Sequence, residues 1–373
     1  MPSNRYFVCL PERAEPVAFD PFRYDQDDFP GFIEVNYLAG ALRTVEQESR
    51  LADLVFYITW SSSKLPSYGD DVVAILMGDE WCHRPSYLHD VKTVFRQYGT
   101  HPEVVVEAVR KPSRLGFTLI LQLLRAVSHG LPGRLYHLPG DLARRYLRGE
   151  QPTRQHVIPL GYANQLELPP VAITARPVDI YFAGSFSNLK PSFFSLKHWV
   201  QSPKNIARHR AISSAAELKA KRPELNIRLE TTAEHVPSKL KGTSDYRTEA
   251  LRYSQQLMNA KICLVPRGSS LDTPRFFEAL RYGCVAIADR LPAKWFYDGA
   301  PVLQVDNWND LERIVDDLLS DPERLEQLHR DALSYWHTHC SEEVLGLFMA
   351  RRLALANPQV VTQNVPCRKD HLL

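Results

Sequence analysis

The sequence lacks the features that mark several classes of protein. No stretch reaches the roughly 18 uninterrupted apolar residues that a bilayer-spanning helix needs. The opening stretch, MPSNRYFVCLPERAEP, contains no apolar core of a signal peptide. The six cysteines are widely scattered and show no C-x-x-C spacing, so we expect reduced thiols. We therefore expect a cytoplasmic protein, with the luminal domain of an anchored Golgi or ER enzyme as the alternative.

A large excess of charge is also missing. The 45 Lys and Arg residues nearly balance the 43 Asp and Glu residues, which argues against a surface built to bind nucleic acid or membrane, so any anion site must be local. Two stretches are basic, LARRYLRG (142–149) and RHRAISSAAELKAKR (208–222). We interpret both as solvated helix faces. The alternatives are peripheral membrane association for the first and contact with an anionic acceptor polymer for the second.

The chain of 373 residues is long enough for two domains of ordinary size. Short, strongly apolar runs such as DDVVAILMGD (70–79) and VDIYFAGSFSN (178–188) alternate with helical patterns in both halves. Such runs are typical of parallel sheets covered by helices on both faces. The sequence therefore predicts an α/β protein.

Domain boundaries follow from breaks in these patterns. The proline-rich stretch 169–177 interrupts both periodicities and is the best linker candidate. The apolar spacing of SEEVLGLFMARRLALA predicts a closing helix that packs back on the first domain. The predicted units are an N-terminal domain (1–170), a C-terminal domain (171–340), the closing helix (341–357) and a tail (358–373).

The stretch AKICLVPRGSSLDTPRFFEALRYGCVAIAD (260–289) carries the strongest functional signal. KICLVP has the length of a buried parallel strand, and Arg267 and Gly268 follow at its carboxyl end, where ligands bind in open α/β sheets. Thr273 before Pro274 predicts a helix start, and the helix ends near Gly283. Arg275 then lies in the first turn, where the helix dipole disfavours a cation. A bound diphosphate would offset this cost, with Arg267 and Arg275 as its ligands.

Glu278 lies three residues after Arg275 and shares its helix face. A carboxylate just beyond a diphosphate-binding turn can accept hydrogen bonds from ribose hydroxyls. The alternative is a local ion pair between Glu278 and Arg275 on a solvated helix face, which spacing alone favours.

The segment ICLVPRG followed by PRFFEALRYGCVAI resembles the C-terminal signature of the exostosin family, glycosyltransferase family 47, most specifically over residues 253–289. The resemblance implies a GT-B architecture, in which two Rossmann-like domains face each other across a cleft. It further implies that Arg267 and Arg275 bind the diphosphate of a nucleotide-sugar, UDP being favoured, that Glu278 binds its ribose, and that transfer inverts the anomeric carbon. The turn GSSLDTP is less basic than its counterpart in animal exostosins, which leaves the donor sugar open.

Two further places complete the predicted site. ILMGDEW ends a probable strand with Asp79 and Glu80, and a carboxylate there can deprotonate an acceptor hydroxyl in the cleft. Successive side chains on a strand point to opposite sides, so we prefer Asp79, with Glu80 orienting it or contacting the acceptor. The alternative is a solvated loop with a capping aspartate. Gly184 and Ser185 end the first strand of the second domain and would allow close backbone approach to the donor.

The sequence thus predicts a glycosyltransferase that moves a sugar from a nucleotide diphosphate to a saccharide hydroxyl in polysaccharide or glycan biosynthesis. Its predicted partners are the donor and a saccharide acceptor, with no nucleic acid. No cofactor or metal is expected, because two arginines and a helix end can neutralise a diphosphate, and no D-x-D-like motif lies at a cleft strand. The alternatives are another enzyme of the same architecture, and a carbohydrate-binding or assembly subunit without catalysis.

Overall fold

The computed structural model contains two sheets made almost entirely of parallel strands, each covered by helices. The predicted α/β class with two parallel sheets is therefore confirmed. The described residues are 3–29, 31–48, 51–80, 82–99, 120, 124, 154–163, 166–169, 171–185, 203–232, 244–268 and 270–355.

The first sheet has the strand order β2-β1-β3-β4-β5-β6, and its pairs are parallel except for β1 with β2. Its strands are β1 (Arg5–Cys9), β2 (Val17–Ala18), β3 (Val55–Thr59), β4 (Gly69–Leu76), β5 (Val91–Arg96) and β6 (Arg154–Val157). The predicted strand at 70–79 is β4. β5 was not predicted, because Lys92 and Arg96 interrupt its apolar pattern. The basic stretch 142–149 lies outside the described residues.

The second sheet is parallel throughout and has the order β11-β10-β9-β7-β8. Its strands are β7 (Val178–Ser185), β8 (Ile227–Thr232), β9 (Ala260–Val265), β10 (Val285–Asp289) and β11 (Leu303–Val305). Strand order reverses between β7 and β9, the first and third strands of this sheet along the chain. Crevices for ligands open at the carboxyl ends of strands at such a reversal.

The helices are α1 (Val35–Gln47), α2 (Pro203–Lys221), α3 (Ser244–Met258), α4 (Pro274–Arg281), α5 (Leu311–Leu319), α6 (Pro322–Tyr335) and α7 (Glu342–Leu355). α7, from the end of the described chain, packs against α1, from its beginning. The two helices approach so closely that a Cβ on Gly40 would collide with the side chain of Glu342. The domain boundaries themselves stay a prediction. Among the described helices, none is both long and apolar enough to cross a bilayer.

The predicted linker is anchored to the second sheet by one buried arginine. The guanidinium of Arg176 donates to the carbonyls of Val171 at 3.0 Å, Ala260 at 2.8 Å and Tyr282 at 2.5 Å. Hydrogen bonds from a buried charged donor are costly to break. The segment around residue 176 is therefore packed against the second sheet.

Candidate functional site

The candidate site lies at the reversal of strand order in the second sheet. β7 and β9 are neighbours, and their carboxyl ends lead into Gly184 and Arg267 respectively. The sheet therefore brings together two of the segments that the sequence predicts to bind a donor.

The loop after β9 is held tightly by its neighbours. The backbone N–H of Arg267 donates to Asp289 Oδ2 at 2.8 Å, and the other oxygen of this carboxylate accepts from Trp308 Nε1 at 3.1 Å. A Cβ on Gly268 would lie 2.5 Å from the carbonyl oxygen of Asp272, so only glycine fits this turn without a shift. Asp289 thus supports the loop that presents Arg267.

α4 begins as predicted, with Thr273 at the N-cap position and Pro274 following it. Thr273 has the extended backbone of an N-cap (φ −149°, ψ 135°), but its side chain makes no capping hydrogen bond to the described residues. The helix ends before Gly283, whose φ of 66° is in the left-handed region.

Arg275 is buried and only partly satisfied. Its side chain is 7% exposed, one Nη donates to the carbonyl of Ala183, and its guanidinium carbon lies 4.6 Å from the centroid of the Phe182 ring. Its Nε and its other Nη are buried and have no hydrogen-bond partner among the described residues. Buried unsatisfied donors of a charged group are costly, so this arrangement indicates a place for an anion.

Gly184 explains how this guanidinium fits. A Cβ added to Gly184 would collide with the Nη of Arg275 that bonds Ala183. The sequence predicts that the donor approaches the backbone of Gly184 closely. In the structure, the side chain of Arg275 makes this close approach. Ser185 ends β7 opposite Thr232, and its side chain lies outside the described part of the chain.

The charge of Arg275 acts on two cations of α2, Arg208 and Lys204. Arg208 is 7% exposed, so the interpretation of 208–222 as a wholly solvated face is wrong at this residue. Burial and the charge of Arg275 lower the pKa of Arg208 to about 9. Burial, together with the charges of Arg208 and Arg275, also lowers the pKa of the Lys204 ammonium. Neither residue was predicted to lie near the donor site, because α2 has small alanines where most helices bury larger apolar residues.

Glu278 is buried at 4% exposure, so the alternative of an ion pair on a solvated helix face is wrong. Its Oε2 accepts from the hydroxyl of Tyr253 at 2.6 Å, and its Oε1 accepts from the backbone N–H of Ala163 at 3.3 Å. Burial raises the pKa of this carboxyl, whereas the Tyr253 hydrogen bond and the charge of Arg275 oppose the rise. Ala163 follows the first sheet, so Glu278 joins residues from both halves of the chain.

Asp79 and Glu80 follow β4, as predicted, but their environments differ. Asp79 Oδ2 lies 2.7 Å from Arg96 Nη2, and its Oδ1 lies 2.8 Å from His83 Nδ1. Glu80 is half-buried, and its negative charge acts on both Lys204 and Arg208 of α2. Which of the two carboxylates serves as the base stays a prediction.

Two other features of the site were not predicted. Lys294 Nζ lies 2.5 Å from Asp272 Oδ2 and donates at 3.0 Å to the carbonyl of Tyr98, which follows β5 in the first sheet. This contact connects the loop of the candidate donor site to the other half of the molecule. Glu34, just before α1, has a pKa raised to about 7 by burial and by the charge of Glu278. No sequence pattern marks either feature, because both depend on how the two halves pack.

Among the described residues, no group of three or more His, Cys, Asp or Glu side chains is placed to hold a metal ion. The expectation that the protein needs no metal or cofactor stays a prediction.

Comparison with known proteins finds local similarity to exostosins. No family model matches the chain. Exostosin-1 of Bos taurus is 38% identical over 87 residues, which cover 23% of this chain and 11% of the bovine protein. Exostosin-1b of Danio rerio is 36% identical over 83 residues, covering 22% and 10% of the two chains. The exostosin resemblance is thus confirmed for a segment, and the match spans about a tenth of the relatives' length.

Solved structures show weaker likeness over more of the chain. Sucrose-phosphate synthase from Thermosynechococcus elongatus aligns with 87% of this chain and 94% of its own, with 13% identity and a TM-score of 0.42. The pneumococcal O-GlcNAc transferase GtfA in complex with UDP and GlcNAc aligns with 78% of this chain and 57% of its own, with 12% identity and a TM-score of 0.39. At these scores, the description of the fold rests on the strand order given above.

Proposed function

We propose that this protein is a glycosyltransferase of GT-B architecture that transfers a sugar from a nucleotide diphosphate, with UDP favoured, to a saccharide hydroxyl. The observation that carries the proposal is the buried guanidinium of Arg275, whose Nε and one Nη lack described partners at the reversal of strand order. Local similarity to exostosin-1 supports the same conclusion. The proposed reaction would be a step in the synthesis of a polysaccharide or glycan.

The donor's diphosphate would be held by Arg275, Arg267 and the first turn of α4. Charge that develops on the leaving diphosphate is best stabilised by donors fixed in advance, and the buried loop after β9 provides them. Gly268 and Thr273 shape this loop, and Gly184 gives Arg275 its place. Ser185 would contact the donor through the end of β7.

Glu278 would accept hydrogen bonds from the ribose hydroxyls. Each of its oxygens has one described partner, and a carboxylate oxygen can accept a second hydrogen bond. Tyr253 and Ala163 would then fix the orientation of the carboxylate.

Transfer would be a single displacement with inversion. Glu80 takes the proton of the acceptor hydroxyl, whose oxygen bonds to the anomeric carbon. The bond from that carbon to the diphosphate oxygen breaks, and the diphosphate leaves with the electron pair. The preceding residue, Asp79, orients His83 and neutralises Arg96. The proposed mechanism uses no metal or cofactor.

Nucleotide binding provides the first test. UDP, GDP, ADP and their sugar derivatives would be compared by thermal shift, and UDP at 100 times its dissociation constant should stabilise the protein by about 2.7 kcal/mol. Stabilisation by none of these nucleotides would contradict the proposal.

Transfer is tested by incubating the stabilising donors with saccharide acceptors and measuring products by mass spectrometry. Glu80→Gln should retain nucleotide binding and lose about 10²- to 10⁴-fold in transfer rate, because it removes the base. His83→Gln serves as the comparison and should lose less. Binding without any product in the wild-type protein would favour the non-catalytic alternative.

A further inference from the structure

The donor loop, which joins β9 to α4, is held by a buried ion pair whose cation comes from the segment after β10. The side chains of Lys294 and Asp272 are 5% and 1% exposed, and Lys294 Nζ lies 2.5 Å from Asp272 Oδ2. Asp272 Oδ1 accepts from the hydroxyl of Tyr297 at 2.9 Å. Asp272 directly precedes Thr273, the N-cap residue of α4, so these bonds fix the turn that leads into Arg275.

The same ammonium also reaches the first half of the chain. Lys294 Nζ donates at 3.0 Å to the carbonyl oxygen of Tyr98, two residues beyond the end of β5. Tyr98 has a φ of 65°, in the left-handed region that a bulky side chain rarely adopts. Strained backbone of this kind persists only where its surroundings hold it, and it is concentrated at functional sites. The hydrogen bond from Lys294 helps to hold Tyr98 in this conformation.

The end of β5 is bonded in turn to the loop that follows β4. Gln97, immediately before Tyr98, accepts a hydrogen bond from the backbone N–H of Gly78 at 3.2 Å through its Oε1. Arg96 Nη2 lies 2.7 Å from Asp79 Oδ2. A continuous series of contacts therefore runs from the donor loop, through the buried ammonium and the end of β5, to the loop that carries the predicted base.

We propose that Lys294 is a positioning residue for sugar transfer, which fixes the donor loop and the loop after β4 relative to each other. The inference rests on the proposed function, since these loops would bind the donor and carry the base. Lys294 acts through Asp272 on the start of α4 and through Tyr98 on the end of β5. A displacement needs the acceptor oxygen and the anomeric carbon in line, and a small misplacement costs much of the rate. Stability alone does not account for the ion pair, because apolar side chains of similar volume are often as stable in its place.

The proposal predicts that the two segments joined by Lys294 loosen together. Lys294→Met keeps the length of the side chain and removes the ammonium, so the donor loop and the turn at Tyr98 should both open more readily. Hydrogen exchange of backbone amides in the ligand-free protein should become about threefold faster or more in residues 94–99 and in residues 270–276. UDP affinity should fall about threefold and kcat about 30-fold, because alignment between the two loops matters more to transfer than to binding.

The experiment combines hydrogen exchange measured by mass spectrometry, calorimetric titration with UDP, and transfer kinetics with the donor that stabilises the protein. The variants are Lys294→Met and the double variant Lys294→Met with Asp272→Asn, which leaves no unpaired carboxylate and so guards against a folding defect. The control is Lys261→Met, which removes an ion pair of 2.8 Å between Lys261 and Asp179 at the amino ends of β9 and β7. The control should lower stability and leave kcat and the exchange of both segments at wild-type values.

The outcomes separate this inference from the proposed function. Faster exchange of both segments, together with a lower kcat in both Lys294 variants, supports the inference. Faster exchange in one segment or in neither, or a wild-type kcat in the double variant, overturns it and leaves the glycosyltransferase proposal intact. An equal loss of kcat in Lys261→Met also overturns it, because the loss would then follow from lower stability. A wild-type protein that binds no nucleotide contradicts the proposed function, and the role in transfer falls with it, whereas hydrogen exchange still shows whether Lys294 joins the two segments.

Discussion

The two ends of α2 are both basic, yet they are held in opposite ways. At the C-terminal end, Lys221 Nζ lies 2.6 Å from Glu312 Oε2, and Arg222 Nη1 lies 2.6 Å from Asp316 Oδ1. At the N-terminal end, Arg208 is buried, and the charge of Arg275 acts on it. The hydrogen bond to Glu312 raises the pKa of Lys221, whereas burial lowers that of Lys204.

The difference separates cations whose position stabilises the helix from cations whose position lowers the stability of the fold. Cations at the C-terminal end of a helix complement its dipole and face water, so they require no further explanation. Cations at the buried N-terminal end oppose folding, and proteins retain such groups where they bind or catalyse. The N-terminal end of α2 is therefore the end at which the proposed anion site would explain the charges.

Arg275→Gln is expected to have the largest effect. It removes a charge and the two unsatisfied N–H donors, so UDP affinity should fall about 100-fold, corresponding to about 2.7 kcal/mol. The free energy of unfolding without ligand should not decrease, because the buried cation is unfavourable there. Titration calorimetry and urea unfolding measure the two quantities. The control, Arg313→Gln, changes an exposed arginine of α5 and should leave both unaltered.

If Arg275→Gln bound UDP as the wild-type protein does, the cleft cations would be no more functional than Lys221 and Arg222. Burial of cations at the N-terminal end of α2 would then not indicate a ligand site.

Gly184→Ala tests whether the position of Arg275 matters as well as its charge. The added Cβ would collide with the Nη of Arg275, so the guanidinium must move. We expect about tenfold weaker UDP binding and a loss of about 1–3 kcal/mol in unfolding free energy. Gly299→Ala is the control, since it has a φ of 70° and no neighbour within 4 Å. The control should lose stability through backbone strain and keep its UDP affinity, and equal UDP affinities in the two variants would refute the positional argument.

The donor loop was predictable because its signals are local. A buried strand, a threonine before proline and a glycine at positive φ are read within 24 residues of one another, from Ala260 to Gly283. Nearby sequence could not decide whether Arg275 and Glu278 form a solvated ion pair or a buried site. It depends on Ala163 and Ala183, which lie about 100 residues away in the chain.

In contrast to the donor loop, the buried face of α2 could not be predicted from the sequence. Its buried face includes Ala207, Ala211 and Ala215, so hydrophobic periodicity hardly distinguishes the inner face from the outer one. The burial of Arg208 therefore could not be read from the sequence. Glu34 and Lys294 were missed for a related reason, because their neighbours belong to the other half of the molecule.

Glu34 extends the comparison to an acid on which the charge of Glu278 acts. Its pKa, raised to about 7 from an ordinary value of 4.5, means that the folded protein holds a proton between these pH values that the unfolded chain has lost. Stability should therefore decrease as pH rises from about 4.5 to about 7, by up to about 1.4 kcal/mol per pH unit from this group. Glu34→Gln should flatten this slope in urea unfolding measured across the range. If the pH dependence of the unfolding free energy were unchanged in Glu34→Gln, Glu34 would be solvated and would not have a raised pKa.

Lys221→Gln should have the smallest effect, and it defines the baseline of the comparison. Its ion pair with Glu312 is exposed, and such pairs contribute little to stability and are screened by salt. We expect a barely measurable decrease in unfolding free energy at low salt, and none at about 1 M salt. UDP affinity should equal that of the wild-type protein in titration calorimetry. A loss of UDP affinity here would show that basic residues act on the ligand through long-range charge, and position along α2 would then no longer distinguish the functional cations.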